Sequence, residues 1–319
     1  MNSKMRRDIS DLRYAADIAT TSRTQSSSNS SSVAHQRNLA ANGLQITQEL
    51  LPVPFEILQT CIEYLDLVDR ELNAYVYALP DNNAFCFMSG SDTINLGISS
   101  SLVNNLDETE LAFVFGHELG HVIYGHLGTV HVQDENADFL TMRNMRAREI
   151  SADRVGFICA ESVHSSVSAM IKLVSGVDEK HLLFDVSSYL DQCQTLRDIP
   201  ASHVDFLSTH PPMPVRARAL LWFSISDRYF QYKKKTTPDS TNNPTVRDLD
   251  EKIANDMSVY VDKGIDERFS SEKAAFKMFF LAYHLSLNGQ FSRQDQKLLE
   301  ENCGRNARRL FEIYYTCMN

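Results

Sequence analysis

The chain has 319 residues, of which 43% are hydrophobic, and a formal net charge of −10 at pH 7. This length and apolar content suit one large or two modest globular domains. The acidic balance argues against nucleic-acid binding as the main function, because phosphate binding needs a clustered basic patch. The six cysteines form no C-x-x-C pair, so we expect reduced, mostly buried thiols rather than a redox motif or a thiolate zinc site.

No apolar run of the sequence approaches the roughly 20 residues that are needed to span a bilayer. The longest candidate, Ala274 to Leu287, is interrupted by Lys277 and His284. The basic residues near the N-terminus are not followed by an apolar segment, and the acidic residues among them weigh against a mitochondrial presequence. We therefore expect a soluble, cytoplasmic protein without a transmembrane segment.

Residues 1–43 are predicted to be a flexible N-terminal extension. A short possible helix, Met5 to Ala19, precedes a stretch of Ser, Thr, Asn and Gln from Thr20 to Ser32. Such a stretch buries too little apolar surface to offset its ordering entropy. The extension is either a passive tail or, as the less favoured alternative, a segment that docks on an active-site cleft and inhibits it.

A helix and three strands are predicted next. The apolar spacing in 54–72 is helical, and the segments 74–79, 84–88 and 92–96 read as short strands separated by turns rich in Pro, Asn, Ser and Gly. We expect a small antiparallel meander with the helix packed behind it.

A well-marked helix follows the strands. Asp107 is a candidate N-cap, and Glu110 stands three residues later, as in a capping box. The run from Leu111 to Val122 is mostly apolar, which predicts a helix that is buried on most sides.

This helix carries the motif H-E-x-x-H at positions 117–121. On a helix, His117 and His121 lie nearly one above the other and can bind one Zn²⁺, while Glu118 stays close beside them. A carboxylate in this position can take a proton from a zinc-bound water as the water attacks a carbonyl. Glu118 is therefore predicted to be the base and not a ligand.

The third zinc ligand is sought downstream. The metzincin spacing would require a histidine at position 127, which is Leu127. His126 is one residue out of register, so we favour an outer or surface position for it over a ligand role.

A second predicted helix, roughly 142–161, offers a better ligand. Glu149 and Asp153 form an i, i+4 pair on it. Glu149 can supply the third ligand, and Asp153 can accept the outer N–H of a ligating imidazole and fix its tautomer. The alternative is a solvated acidic pair, which the upstream H-E-x-x-H disfavours.

Further along the chain, His210 precedes two prolines, which hold it in extended backbone near the start of a helix that carries Arg216. Taken alone, such a His-Pro step is read as a turn. Arg216 is expected to orient a carboxylate or a loop.

The last part of the chain is predicted to be a polar linker, 233–247, and a helical domain, 248–319. We expect this helical appendage to bind a protein partner or to restrain the preceding domain.

These motifs together resemble the gluzincin metallopeptidases that include the CAAX prenyl proteases, the heat-shock protease HtpX and the mitochondrial Oma protease. The resemblance covers roughly residues 44–230. It is carried by segments that occur in the family's order: Asn73-Ala74-Tyr75, Asn95-Leu96-Gly97, His117 to His121, Glu149 to Asp153, and His210-Pro211-Pro212 with Arg216. This chain departs from the membrane members because no spanning segments accompany the motifs, which puts a prenylated or membrane substrate in doubt.

The resemblance implies an α+β, zincin-like fold with a small antiparallel sheet, two zinc-bearing helices and, in this chain, a C-terminal helical appendage. We predict a metallopeptidase domain over 44–232 that hydrolyses peptide bonds with one Zn²⁺ per chain, bound by His117, His121 and Glu149. The resemblance also implies that His210 faces the reacting carbonyl, where it can hydrogen-bond the oxyanion that forms when an amide is attacked. In gluzincins the exposed edge of the sheet binds the extended substrate by strand addition. The alternative function is a latent or silent zinc-stabilised module whose helical C-terminus binds a partner.

Overall fold

The structure of the protein is a computed structural model. It describes residues 12–17, 29–90, 92–127, 139–199, 208–233, 243–258 and 297. The chain divides into two compact units, residues 1–199 with 207–258 and residues 200–206 with 259–319. Almost all of the second unit is outside the described ranges, so the helical domain predicted for 248–319 stays a prediction there. Residues 248–258 belong to the first unit.

The first unit combines helices with one sheet, which confirms the α+β class. The helices are α1 (Asn29–Asn42), α2 (Pro52–Tyr64), α3 (Ser100–Asn105), α4 (Glu108–Ile123), α5 (Phe139–Ala160), α6 (Val163–Ser175), α7 (Val186–Leu190), α8 (Gln192–Asp198), α9 (Met213–Ser224), α10 (Asp227–Lys233) and α11 (Val246–Met257). The strands are β1 (Leu44–Gln45), β2 (Glu71–Tyr77), β3 (Ala84–Ser89) and β4 (Thr93–Ser99).

The sheet has the strand order β1-β2-β4-β3. β2 runs parallel to β4, whereas β3 and β4 pair antiparallel. The predicted antiparallel meander is therefore wrong at one pairing, because turn signals locate strands but do not say which strand each one pairs with. Ile94, Leu96 and Ile98 of β4 are fully buried, as expected for a central strand, and β3 is left at the edge.

Helix α4 is the centre of the fold. Its N-terminus has the predicted capping box: Asp107 accepts from the backbone of Glu110, and the Glu110 side chain accepts from the backbone of Asp107. Phe115 and Leu119 are completely buried. The helix packs against α2, α5, α6 and β3. The prediction that α2 lies behind the sheet is corrected, since α2 packs mainly on α4.

The N-terminal residues that the structure describes differ from the flexible extension that we predicted. Leu12 has 3₁₀-helical backbone, residues 13–17 are bends, turns or irregular, and the rest of the predicted helix Met5 to Ala19 lies outside the described residues. Leu12 and Tyr14 are 0% and 3% exposed. Residues 29–42 form α1, which contacts β2 and β3. The polar composition of Thr20 to Ser32 did not reveal the burial of residues 12–17, because the buried apolar residues Leu12 and Tyr14 precede that stretch.

Within the ranges that the structure describes, no helix has the length and apolar character needed to cross a membrane.

Candidate metal centre

Two imidazoles of α4 face the same point. The Nε2 atoms of His117 and His121 are 3.2 Å apart, and the side chains are 12% and 15% exposed. Burial lowers the pKa of His121 to about 3. His121 is therefore neutral, which is the form in which histidine binds a metal.

The carboxylate of Glu149 on α5 completes the cluster. Its Oε1 is 3.5 Å from the Nε2 of His121, and its Oε2 is 3.6 Å from the Nε2 of His117. Ligand atoms in a tetrahedral zinc site with bonds of about 2.1 Å are about 3.4 Å apart. The three groups thus have both the chemical types and the spacing of a metal centre.

Glycines allow α4 and α5 to approach closely enough to form this cluster. A Cβ on Gly116 would lie 2.8 Å from the Cβ of Cys159, and a Cβ on Gly156 would lie 2.6 Å from the backbone oxygen of Phe113. Real Cβ contacts are essentially never this short. Only glycine fits at this crossing of the two helices.

Asp153 lies on the outer side of His117. Its Oδ1 is 3.0 Å from the His117 Nδ1, and Arg216 donates to both of its oxygens, at 2.6 and 2.8 Å. Burial alone would raise the pKa of Asp153, but Arg216 and His117 lower it to about 2. Arg216 also lies 3.1 Å from Glu149 Oε2, so one guanidinium contacts both acidic groups of α5.

His126 contacts the outer side of His121. The Nδ1 atoms of the two rings are 2.9 Å apart, and the Nε2 of His126 is 2.9 Å from Oδ2 of Asp17. Burial lowers the pKa of His126 despite the opposing effect of Asp17. His126 is therefore placed outside the ligand cluster, in agreement with the outer position favoured from its spacing.

Glu118 is next to His117 on α4 and is 9% exposed. Burial raises the pKa of its carboxyl, and the neighbouring Glu149 raises it further, while His117 lowers it. Its backbone oxygen accepts a hydrogen bond from the Cys86 Sγ of β3 at 3.0 Å. This contact joins the edge strand to the helix that carries His117 and His121.

His210 lies at the open side of the cluster. Its Nε2 is 3.5 Å from Oε1 of Glu149, and its side chain is 63% exposed. Its Nδ1 is 2.8 Å from the Thr209 hydroxyl. One ring nitrogen thus has a local partner, and the other is directed to Glu149 of the candidate metal cluster.

The structure brings together every residue singled out from the sequence, namely His117, Glu118, His121, Glu149, Asp153, His210 and Arg216. Sequence reasoning missed Asp17. The contact between Asp17 and His126 joins positions 109 residues apart, and no spacing rule links such positions. The available sequence signal for a buried Asp17 was its position shortly after the apolar residues Leu12 and Tyr14.

Comparison with known proteins places this cluster in a family. The sequence model described as peptidase family M48 matches residues 56–135 and 127–222. A similar protein is the plastoglobule-localized metallopeptidase 48, chloroplastic, of Arabidopsis thaliana, which is 25% identical over 231 residues. That alignment covers 64% of this chain and 64% of the relative, so it leaves about a third of the relative's length unmatched.

The family match spans more than half of the chain and includes the three clustered donors His117, His121 and Glu149, together with Glu118 between the histidines. It confirms the metallopeptidase resemblance that the ordered motifs predicted. The chain is a member of peptidase family M48.

Proposed function

We propose that this protein is a zinc-dependent endopeptidase in which His117, His121 and Glu149 hold one zinc ion. The observation that carries the proposal is the cluster itself, two imidazole nitrogens and a carboxylate with mutual distances of 3.2–3.6 Å. Family membership supports a peptidase reaction, and two histidines with a glutamate are a ligand set of catalytic zinc.

The surroundings of the donors fit a divalent cation. Burial of two imidazoles and a carboxylate is costly unless something compensates the charge. Arg216 already neutralises part of the acidic charge, and together with the histidines it lowers the pKa of Glu149 although burial raises it. Glu149 is therefore ionised and ready to bind a metal.

Zinc, when bound, supplies Lewis-acid polarisation of a substrate carbonyl and lowers the pKa of water. Glu118 then acts as the general base. Its raised pKa suits it to accept a proton from the attacking water and to pass the proton to the leaving amine. Burial of the Glu118 carboxylate limits competition from bulk water.

His210 is proposed to stabilise the oxyanion that forms on the substrate. If the Thr209 hydroxyl donates to Nδ1 of His210, then Nε2 carries the proton and can donate it to the substrate oxygen. The exposure of this side chain fits a group that substrate covers on binding. One well-placed donor of this kind is worth on the order of 3 kcal/mol.

The substrate is proposed to be an extended peptide that adds to β3. This strand is an edge of the sheet, and its residue Cys86 contacts the backbone of Glu118. Backbone hydrogen bonds to an edge strand align a peptide without reading its side chains. We therefore expect cleavage of unfolded or extended protein segments.

The alternative of a silent, zinc-stabilised module is not favoured, since the proposed base Glu118 and the proposed donor His210 both lie close to the clustered side chains of His117, His121 and Glu149. A protein partner for 248–319 stays a prediction. A cytoplasmic location also stays a prediction. The chloroplast plastoglobule appears only in the name of the Arabidopsis relative and is a property of that protein.

The test is to measure cleavage of an unfolded protein by the wild type and by Glu118→Gln, with zinc content determined on both. We expect the variant to keep one zinc and to lose activity by about 10²–10⁴-fold, the usual contribution of a positioned base. Glu108→Gln, a change in the exposed first turn of the same helix, is the matched control. Normal turnover by Glu118→Gln would refute the assignment of the base.

A further inference from the structure

A chain of three side chains runs from the N-terminal segment to a metal ligand. Asp17 contacts Nε2 of His126, and Nδ1 of His126 contacts Nδ1 of His121, both at 2.9 Å. The side chains of Asp17 and His126 are 0% and 2% exposed. Water therefore does not substitute easily for either partner.

The protons that link Asp17, His126 and His121 can be assigned by elimination. A metal at Nε2 of His121 leaves the hydrogen on Nδ1, so His121 donates to Nδ1 of His126. His126 is then an acceptor at Nδ1 and carries its own hydrogen at Nε2. That hydrogen is donated to the Asp17 carboxylate.

We propose that Asp17 is a positioning residue for the metal centre, which acts on His121 through His126. The inference rests on the proposed zinc site. With this contact, each of the two histidines is linked to a carboxylate on its outer side. His117 contacts the carboxylate of Asp153 directly, and His121 is linked to the carboxylate of Asp17 through the imidazole of His126. Such outer partners fix the orientation of a ligating ring.

The N-terminal segment is held in place by buried contacts. The backbone N–H of Tyr14 donates to Ser151 Oγ at 3.0 Å, and that of Ala15 donates to Asp250 Oδ2 at 3.0 Å. Arg154 donates to the backbone oxygen of Leu12 at 3.1 Å and also pairs with Asp250. Residues 12–17 are thereby fixed between α5 and α11.

A salt bridge within the segment orients Asp17. Arg13 contacts both oxygens of the Asp17 carboxylate, at 3.0 and 3.1 Å. One of these oxygens, Oδ2, is also the partner of His126. The carboxylate therefore has a defined rotamer as well as a defined position.

This arrangement argues against an inhibitory role for residues 12–17. The segment reaches His121 from the Nδ1 side, whereas the atoms that surround the metal position are the Nε2 atoms and the Glu149 oxygens. Asp17 therefore supports His121 from the Nδ1 side, away from the proposed metal position. It also lies outside residues 56–222, the span that the family model matches, so the support is supplied by a part of the chain beyond that span.

The first experiment measures zinc affinity by chelator competition for the wild-type chain of 319 residues and for its variants Asp17→Asn and Asp17→Ala. We expect binding to weaken by about 10- to 100-fold in Asp17→Ala, as for other outer partners of metal ligands, and by less in Asp17→Asn, which keeps an acceptor. Asp92→Asn, a change in a surface ion pair with Arg70, is the control and should bind as the wild type does. Unchanged affinity in Asp17→Ala would overturn the proposal.

A double-mutant cycle separates the relay from a general effect on folding. In a His126→Phe background the connection to His121 is already broken, so adding Asp17→Ala should produce no further loss of zinc affinity. A loss as large as in the wild-type background would show that Asp17 acts through the fold, and the relay would be wrong. If Asp17→Ala fails to fold, the same cycle is run with Asp17→Asn.

These outcomes are distinct from failure of the proposed function. A wild type that binds zinc but does not cut protein would contradict the peptidase proposal and leave the affinity comparison intact. A wild type that binds no zinc would overturn both.

Discussion

At the scale of single residues, the site consists of an inner cluster of two histidines and a glutamate and of outer charged and polar groups that contact this cluster. Glu149 belongs to the candidate metal cluster, Asp153 and His126 contact the Nδ1 atoms of His117 and His121, and Arg216 contacts both acidic groups of α5. Glu149, Asp153 and Arg216 therefore each have a partner of opposite charge. This compensation is what allows so many ionisable groups to lie in one interior.

Arg216 is the residue for which the geometry makes a specific prediction. Its guanidinium donates to both oxygens of Asp153 and also reaches Glu149, which an ammonium cannot reproduce. We expect Arg216→Lys to weaken zinc binding by roughly 10- to 100-fold, because the two carboxylates lose their fixed orientation. Zinc affinity is again measured by chelator competition.

The neighbouring Arg218→Lys is the control for that prediction. Arg218 lies on the same helix but pairs with Asp256. We expect this substitution to leave zinc affinity unchanged. Equal affinities for wild type and Arg216→Lys would show that the guanidinium geometry is not needed.

At the scale of elements, the central feature is the close crossing of α4 and α5. It places Glu149 of one helix against His117 and His121 of the other. The crossing depends on glycines, because no side chain fits between the backbones at Gly116 and Gly156. The candidate metal cluster thus depends on how tightly the two helices pack.

Gly156→Ala tests this dependence. The new Cβ would lie 2.6 Å from the rigid backbone oxygen of Phe113, so the helices must separate. We expect a loss of roughly 1–3 kcal/mol in the free energy of unfolding, as for other overpacked sites, together with weaker zinc binding. Chemical denaturation and zinc competition measure the two effects.

Gly120→Ala provides a graded comparison on α4. Its nearest contact, the Cβ of Val155, would be 3.0 Å away, and alanine gains helix propensity over glycine. We expect a smaller loss than for Gly156→Ala. If Gly156→Ala were as stable as the wild type, the crossing would be looser than the structure indicates.

At the scale of the whole molecule, local signals predicted the site better than they predicted the sheet. Three features can be read directly from the sequence because each spans only a few residues: the histidine spacing, the capping box at Asp107 and the Glu149–Asp153 pair. The parallel pairing of β2 with β4 joins segments about 20 residues apart, and turn residues do not encode partner choice. The apolar alternation of Ile94, Leu96 and Ile98 was the available signal that β4 is central.

The N-terminal segment shows the same limit more strongly. Asp17 contacts His126 across 109 residues of sequence, and a polar stretch from Thr20 to Ser32 separates the segment from everything that follows. Composition favoured flexibility for all of residues 1–43. Burial of Leu12 and Tyr14 depends on α5 and α11, which only the folded chain brings together.

The most direct test of the central claim is to remove the metal with a chelator and to return zinc in measured amounts while cleavage of an unfolded protein is followed. The account predicts that activity disappears on removal and returns in proportion to bound zinc, up to one ion per chain. His121→Phe, which removes one ligand, should not recover. Cleavage that persists without bound zinc, or that fails to return when one zinc is bound, would contradict the proposal that this site is a zinc peptidase centre.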